Sequence, residues 1–125
     1  MVLDASALLP MLLERGGPPL PRLRGQEAHA PHLLDLEVAH ALRRLQFAGR
    51  VEATHATLAL ELLAELPVHR HAHRALLPRV WQLRHNLSAY DAAYLALAEV
   101  VGGPLLTRDR GLAAVARATV EVMIL

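Results

Sequence analysis

Short apolar runs alternate along the chain with longer stretches in which leucine, alanine and valine recur at three- and four-residue intervals. The first spacing suits buried strands and the second suits helices with one apolar side. Met1 to Leu3 is such a run. It meets Asp4 and Ser6, both good helix-capping types, before the apolar stretch Ala7 to Leu13, which predicts strand, turn and helix. Gly16, Gly17, Pro18, Pro19 and Pro21 then predict a surface loop, too early in the chain to separate domains. His29 to Pro31 reads as a brief second strand. From Leu34, the residues Val38, Ala41, Leu42 and Leu45 keep helical spacing until Gly49 stops them.

A further helix is predicted from about Val51 to Leu66, with Leu58, Leu62 and Leu66 along one side and Pro67 ending it. Val68 begins a third strand, and a helix through Leu76, Val80 and Leu83 follows. Ser88 caps a segment from Ala89 to Val100 that is apolar nearly all round, as befits a helix packed on both sides. Gly102, Gly103 and Pro104 turn the chain into a strand at Leu105 and Leu106. A helical stretch near Leu112 to Ala116 and a strand from Val120 to Leu125 complete the pattern. Parallel strands need crossovers, usually helical, so this alternation predicts an α/β fold whose parallel sheet carries helices on both faces.

With 125 residues there is room for one domain over the whole chain. Hydrophobic residues make up 54% of it and aromatics only 3%, so the core is built from small aliphatic side chains. That apolar fraction exceeds what so small a chain hides, which predicts an exposed patch and a protein partner. The absence of cysteine excludes disulfides and thiolate chemistry. Neither a signal peptide nor a membrane span is evident, and the expected location is cytoplasmic. All 13 basic residues are arginine and the net charge is only +1. If acids gather in one cleft, the remaining surface is basic and suited to phosphate contacts.

Four acids share an address. In open parallel sheets, ligands bind beyond the carboxyl ends of the strands. Asp4 follows the first strand, Glu37 lies in the first turn of the helix after the second, Asp91 lies in the first turn of the apolar helix, and Asp109 follows the strand at Leu105. Taken singly, Asp4, Asp91 and Asp109 have ordinary structural readings as a cap, a capping-box acid and a turn residue. Glu37 has none, because it sits beside Leu34, Val38 and Ala41 on the core side of its helix. A buried carboxylate needs positive charge close by. Four converging acids call for hard divalent cations such as Mg²⁺ or Mn²⁺, whose chemistry serves phosphodiester hydrolysis. Ser6 and Thr107, each two residues from an acid, are placed to orient ligands or waters.

These residues fall in motifs that resemble a known family. V-L-D-A-S-A-L at 2 to 8, L-L-D-L-E-V at 33 to 38, S-A-Y-D-A-A-Y-L-A-L-A at 88 to 98 and L-L-T-R-D at 105 to 109 resemble a PIN-domain ribonuclease of the VapC toxin type. The resemblance implies a three-layer α/β/α sandwich and an Mg²⁺- or Mn²⁺-dependent endoribonuclease with its four acids at Asp4, Glu37, Asp91 and Asp109. It also implies a homodimer, and inhibition by a cognate antitoxin that wraps the toxin and places a residue near the acids. Two departures are the short stretch before Asp4 and the stiff Gly/Pro loop at 16 to 21.

Other signals carry less. His69, His71 and His73 form a zinc site only if extended, and a helix expected soon after Pro67 leaves little strand, so a solvated or RNA-facing cluster is the preferred reading. Glu37 and His40 have the spacing of di-iron bundles, but no second such pair exists. Trp81 and Tyr90 are expected to pack rather than to stack on bases. A haloacid-dehalogenase-type phosphatase would have an acid where Ser6 stands, and a receiver domain would need a lysine, of which there is none. The remaining rival is an inert PIN-like module that binds RNA or protein.

Overall fold

The structure is a computed structural model that describes residues 1–14 and 25–124. The Gly/Pro loop expected at 16 to 21, together with Arg22, Arg24 and Leu125, lies outside the described residues. In chain order the elements are β1 (Val2–Leu3), α1 (Ala5–Leu13), β2 (Ala28–Pro31), α2 (Leu33–Phe47), α3 (Ala53–Glu65) and β3 (Val68–His71). A 3-10 turn at Arg74–Leu76 leads into α4 (Leu77–Gln82), followed by α5 (Ala89–Val101), β4 (Leu105–Thr107), α6 (Arg110–Ala116) and β5 (Val122–Ile124).

The five strands form one sheet in the order β3-β2-β1-β4-β5, with every neighbouring pair parallel. Val2 stands opposite His29 on one side and Leu105 on the other, so the shortest strand is also the central one. Its brevity is offset by burial, since Val2 and Leu3 are fully enclosed. The helices separate into two packed groups, α1 with α2 and α3, and α4 and α6 with α5, each resting on the sheet. This is the expected α/β sandwich.

Local sequence accounts for the ends of the main helices. On α5 the Ser88 hydroxyl accepts the Asp91 N–H at 3.2 Å, and Gly102 closes the helix with a φ of 70°. Seven consecutive residues between them, Ala92 to Ala98, are buried. On α2, Leu34, Val38 and Leu42 face the core, each stabilising the fold by roughly 1.5–3 kcal/mol. On the third helix Leu66 is buried and Leu62 packs against the core as expected, but Leu58 does not. Helix α3 buries Ala56, Ala59 and Leu63, while Leu58 is 62% exposed. The small alanines let α3 approach α1 and α2 closely, an advantage that a leucine-only pattern does not reveal.

The sheet order reverses direction at β1. From there the chain steps one way to β2 and β3 and the other way to β4 and β5, and the carboxyl ends of β1 and β4 lie side by side at that reversal. Open α/β sheets bind ligands in the crevice formed at such a point. Asp4 directly follows β1, and Thr107 ends β4.

Candidate active site

A cleft at this reversal is lined by Asp4, Ser6, Glu37, Arg44, Asp91, Arg108 and Asp109. The structure thus brings together all four acids that the sequence singled out, each delivered by a different part of the chain, with both hydroxyl residues beside them.

Asp4 stands at the N-terminus of α1 without capping it. Its Oδ2 instead accepts hydrogen bonds from Ser6 Oγ at 2.5 Å and from Thr107 Oγ1 at 2.7 Å. The side chain is almost wholly buried. Thr107 Oγ1 in turn accepts the Asp109 N–H at 2.9 Å, and Ser6 Oγ accepts the Arg108 N–H at 2.9 Å. Two short bonds therefore fix one carboxylate oxygen of Asp4 and tie β1 to the loop after β4.

Asp109 and Asp91 each keep a structural task as well. Asp109 caps α6, its Oδ1 accepting the Leu112 N–H at 2.8 Å, and its residue is exposed. Asp91 gives its backbone N–H to the Ser88 cap, while its carboxyl group points into the cleft. Burial, then the negative charges of Asp109 and Asp4, raise the Asp91 pKa.

Glu37 has no structural task, and its situation is the most unfavourable. Burial, and then the charges of Asp4 and Asp91, push its pKa up to about 7. The nearby Tyr94 hydroxyl relieves this slightly, but no well-formed hydrogen bond joins the two groups. Glu37 Oε1 and the Tyr94 hydroxyl are both buried without a partner. Tyr94 lies on α5 one turn beyond Asp91, a spacing that put it within reach of the cleft although sequence reasoning did not single it out. Burial and the neighbouring carboxylates raise its pKa.

An acidic cleft with an orphaned carboxylate oxygen and two carboxyl groups of raised proton affinity fits a missing positive charge. The donor set is all oxygen, as hard divalent cations require. Among the described residues no three acidic or histidine side chains converge into a closed cage. Mg²⁺ does not need one, because it is held by one or two carboxylates, retains waters and shares substrate phosphate oxygens.

Two expectations from the sequence need correction. Trp81 and Tyr90 do not pack inside; they are 68% and 66% exposed. Trp81 sits on α4, which buries only Val80, and Tyr90 in the first turn of α5, ahead of its buried run from Ala92 to Ala98. His69 and His71 are not in a helical start but in β3, because its parallel pairing with β2 runs from Val68 through His71. They flank His29, whose Nδ1 lies 2.9 Å from His71 Nε2 and whose ring stacks on His69. Among the described residues they do not amount to a metal site.

The chain is similar to known proteins over most of its length. The PIN domain family model matches residues 1–118. Ribonuclease VapC1 of Mycobacterium tuberculosis is 43% identical over 118 residues, covering 90% of this chain and 88% of that protein. Ribonuclease VapC9 of the same species is 42% identical over 109 residues, covering 87% and 85%. The crystal structure of PAE2754 from Pyrobaculum aerophilum superposes with a TM-score of 0.71 at 26% identity, covering 96% of this chain and 81% of the other.

Proposed function

Because the chain belongs to the PIN-domain family, with VapC ribonucleases among its relatives, we propose that it is an endoribonuclease that hydrolyses RNA phosphodiester bonds with Mg²⁺ or Mn²⁺ held by Asp4, Glu37, Asp91 and Asp109. The observation that carries this reading is Glu37: a half-buried carboxyl group with no partner, pressed by two other acids in a cleft at the sheet's reversal point. Such an arrangement destabilises the fold unless a cation or a phosphate-bound cation completes it.

When bound, the cation supplies an activated water and neutralises charge on the displaced oxygen. The chain's own residues do the rest. Ser6 and Thr107 hold the Asp4 carboxylate in one orientation. Arg44 and Arg108, which border the cleft, bind phosphate oxygens and align the RNA backbone. Glu37, whose pKa of about 7 belongs to the cation-free cleft, would be held ionised by the cation and complete the site through it or through a bound water.

Exposed apolar surface bears on partners. Leu58, Trp81 and Val100 are large apolar side chains left 62%, 68% and 74% exposed. They stand on both helix groups, and a homodimer and a cognate antitoxin, as the toxin reading implies, would each give such side chains a cover. No helix among the described residues is long and apolar enough to cross a membrane.

Total cellular RNA incubated with the protein under Mg²⁺, Mn²⁺ or EDTA, with Asp91→Asn run beside it, tests the activity. Discrete fragments that disappear with EDTA and with the variant are expected. If wild type and variant both bind RNA and leave it intact, the protein is an inert RNA-binding module. Light scattering of the isolated protein tests the homodimer, and a monomer would remove that part of the reading.

A further inference from the structure

We propose that an open groove beside the acidic cleft holds one unpaired nucleobase of the RNA, with the Tyr90 ring as its stacking platform. This inference rests on the ribonuclease reading and adds a base-binding subsite to it. The groove, about 530 Å³, lies between α2 and the first turn of α5 and is lined by Leu33, Leu36, His40, Arg44, Ser88 and Tyr90. It shares Glu37, Arg44 and Asp91 with the cleft.

The four aromatic side chains of the chain have different fates. Tyr94 is buried. Arg43 covers the Phe47 ring at 4.7 Å, and Arg84 covers the Trp81 ring at 4.8 Å. Tyr90 is 66% exposed and has no ring or hydrogen-bond partner among the described residues. Its position explains why a bare ring is useful there. Tyr90 immediately precedes Asp91, and Leu36 immediately precedes Glu37, so each apolar side chain stands about 100° around its helix from an acid. The rim of the groove is thus apolar, and its inner end is acidic.

That combination matches a base rather than a phosphate. The ring offers a π-face and Leu36 offers an apolar flank, while Glu37 and Asp91 at the inner end remain with the cleft. Arg44, common to both spaces, is placed to bind the phosphate that links the held base to the scissile bond. A paired and stacked base cannot enter, so the protein takes single-stranded segments.

Fluorescence anisotropy tests this with two labelled probes, a single-stranded hexaribonucleotide and a hexamer of the same backbone without bases, in Mg²⁺. An Asp109→Asn background suppresses cleavage, since Asp109 lines the cleft but not the groove. Tyr90→Ala is expected to weaken binding of the hexaribonucleotide about tenfold, leaving the abasic probe unaffected, and Tyr90→Phe to bind like the parent. Unchanged binding by Tyr90→Ala, or an equal loss on both probes, overturns the proposal and leaves the groove to a protein side chain. If Asp109-intact protein cleaves no RNA yet the hexamer preference depends on Tyr90, the ribonuclease reading fails and the subsite stands. If it cleaves and Tyr90→Ala changes nothing, the reverse holds.

Discussion

Replacing Glu37 by glutamine should stabilise the folded protein at pH 8 in the absence of divalent cations and change little at pH 5. Burial and the charges of Asp4 and Asp91 carry the Glu37 pKa from its ordinary 4.5 to about 7. The folded state therefore binds the proton more tightly than the unfolded chain does, so stability falls as pH rises from 4.5 to about 7 and stays low above it. At about 1.4 kcal/mol per pH unit the full displacement corresponds to roughly 3 kcal/mol. Solvent reaches part of the carboxyl group and screens the interaction, which reduces the expected gain to roughly 1–2 kcal/mol. Urea unfolding of wild type and Glu37→Gln in EDTA at both pH values measures it, and the pH dependence of groups that are not coupled to Glu37 cancels in the difference. Adding Mg²⁺ at pH 8 should then raise the wild-type midpoint more than that of the variant. A glutamine variant no more stable than wild type at pH 8 would show that Glu37 is not strained by its neighbours, and the electrostatic case for a cation would fall with it.

Ser6→Ala removes one of the two hydroxyls on Asp4 Oδ2 and the acceptor for the Arg108 N–H. It should cost about 1 kcal/mol in stability and lower cleavage roughly tenfold or more, whereas unaltered cleavage would mean that Thr107 alone orients Asp4. Tyr94→Phe deletes a buried hydroxyl that lacks a partner. Thermal unfolding should find it as stable as wild type or up to about 1 kcal/mol better, and a clear loss would reveal a bond to Glu37. Burial, His71, the N-terminal charge and His69 lower the His29 pKa. Its neutral form is favoured in the fold, so this contribution is intact above pH 6.5 and is lost as pH falls below it. His29→Gln should flatten the stability profile as pH falls below 6.5, and an unchanged slope would exclude His29 as its source.

The alternation of apolar runs with helical spacing was enough to read the fold, because β1, β4 and β5 are short, largely apolar runs and each connection is long enough for a helix, whereas β3, Val68 to His71, is mostly polar. Strand order was not legible in that pattern. Nothing in Met1 to Leu3 marks so short a segment as the middle of five strands; its position follows from burial on both faces, which is a property of the packed molecule. Helix α3 failed in a different way. Its leucines and its alanines both have helical spacing, and only the close approach of α1 and α2 selects Ala56 and Ala59 over Leu58.

The acids were legible for the reason that the fold was. Once strands are assigned, residues just beyond their carboxyl ends converge whatever their separation in sequence. Which of them carries strain was foreshadowed only for Glu37, where a charge interrupts an apolar stripe. Tyr94 and Tyr90 show the limit of such reading. The same residue type recurs one turn apart on α5, yet it is buried against Glu37 in one case and bare at the rim of a groove in the other. Helical spacing sets the two rings only about 40° apart around the axis, so spacing alone predicts a single fate for both. Their difference lies along the axis. Tyr94 is deep enough in the helix to be enclosed, whereas Tyr90 stands in the first turn, where α2 lies opposite and leaves an open groove. The composition of the helix therefore predicts a buried element, while the neighbouring helix decides that one of its rings faces solvent and is free to meet a base.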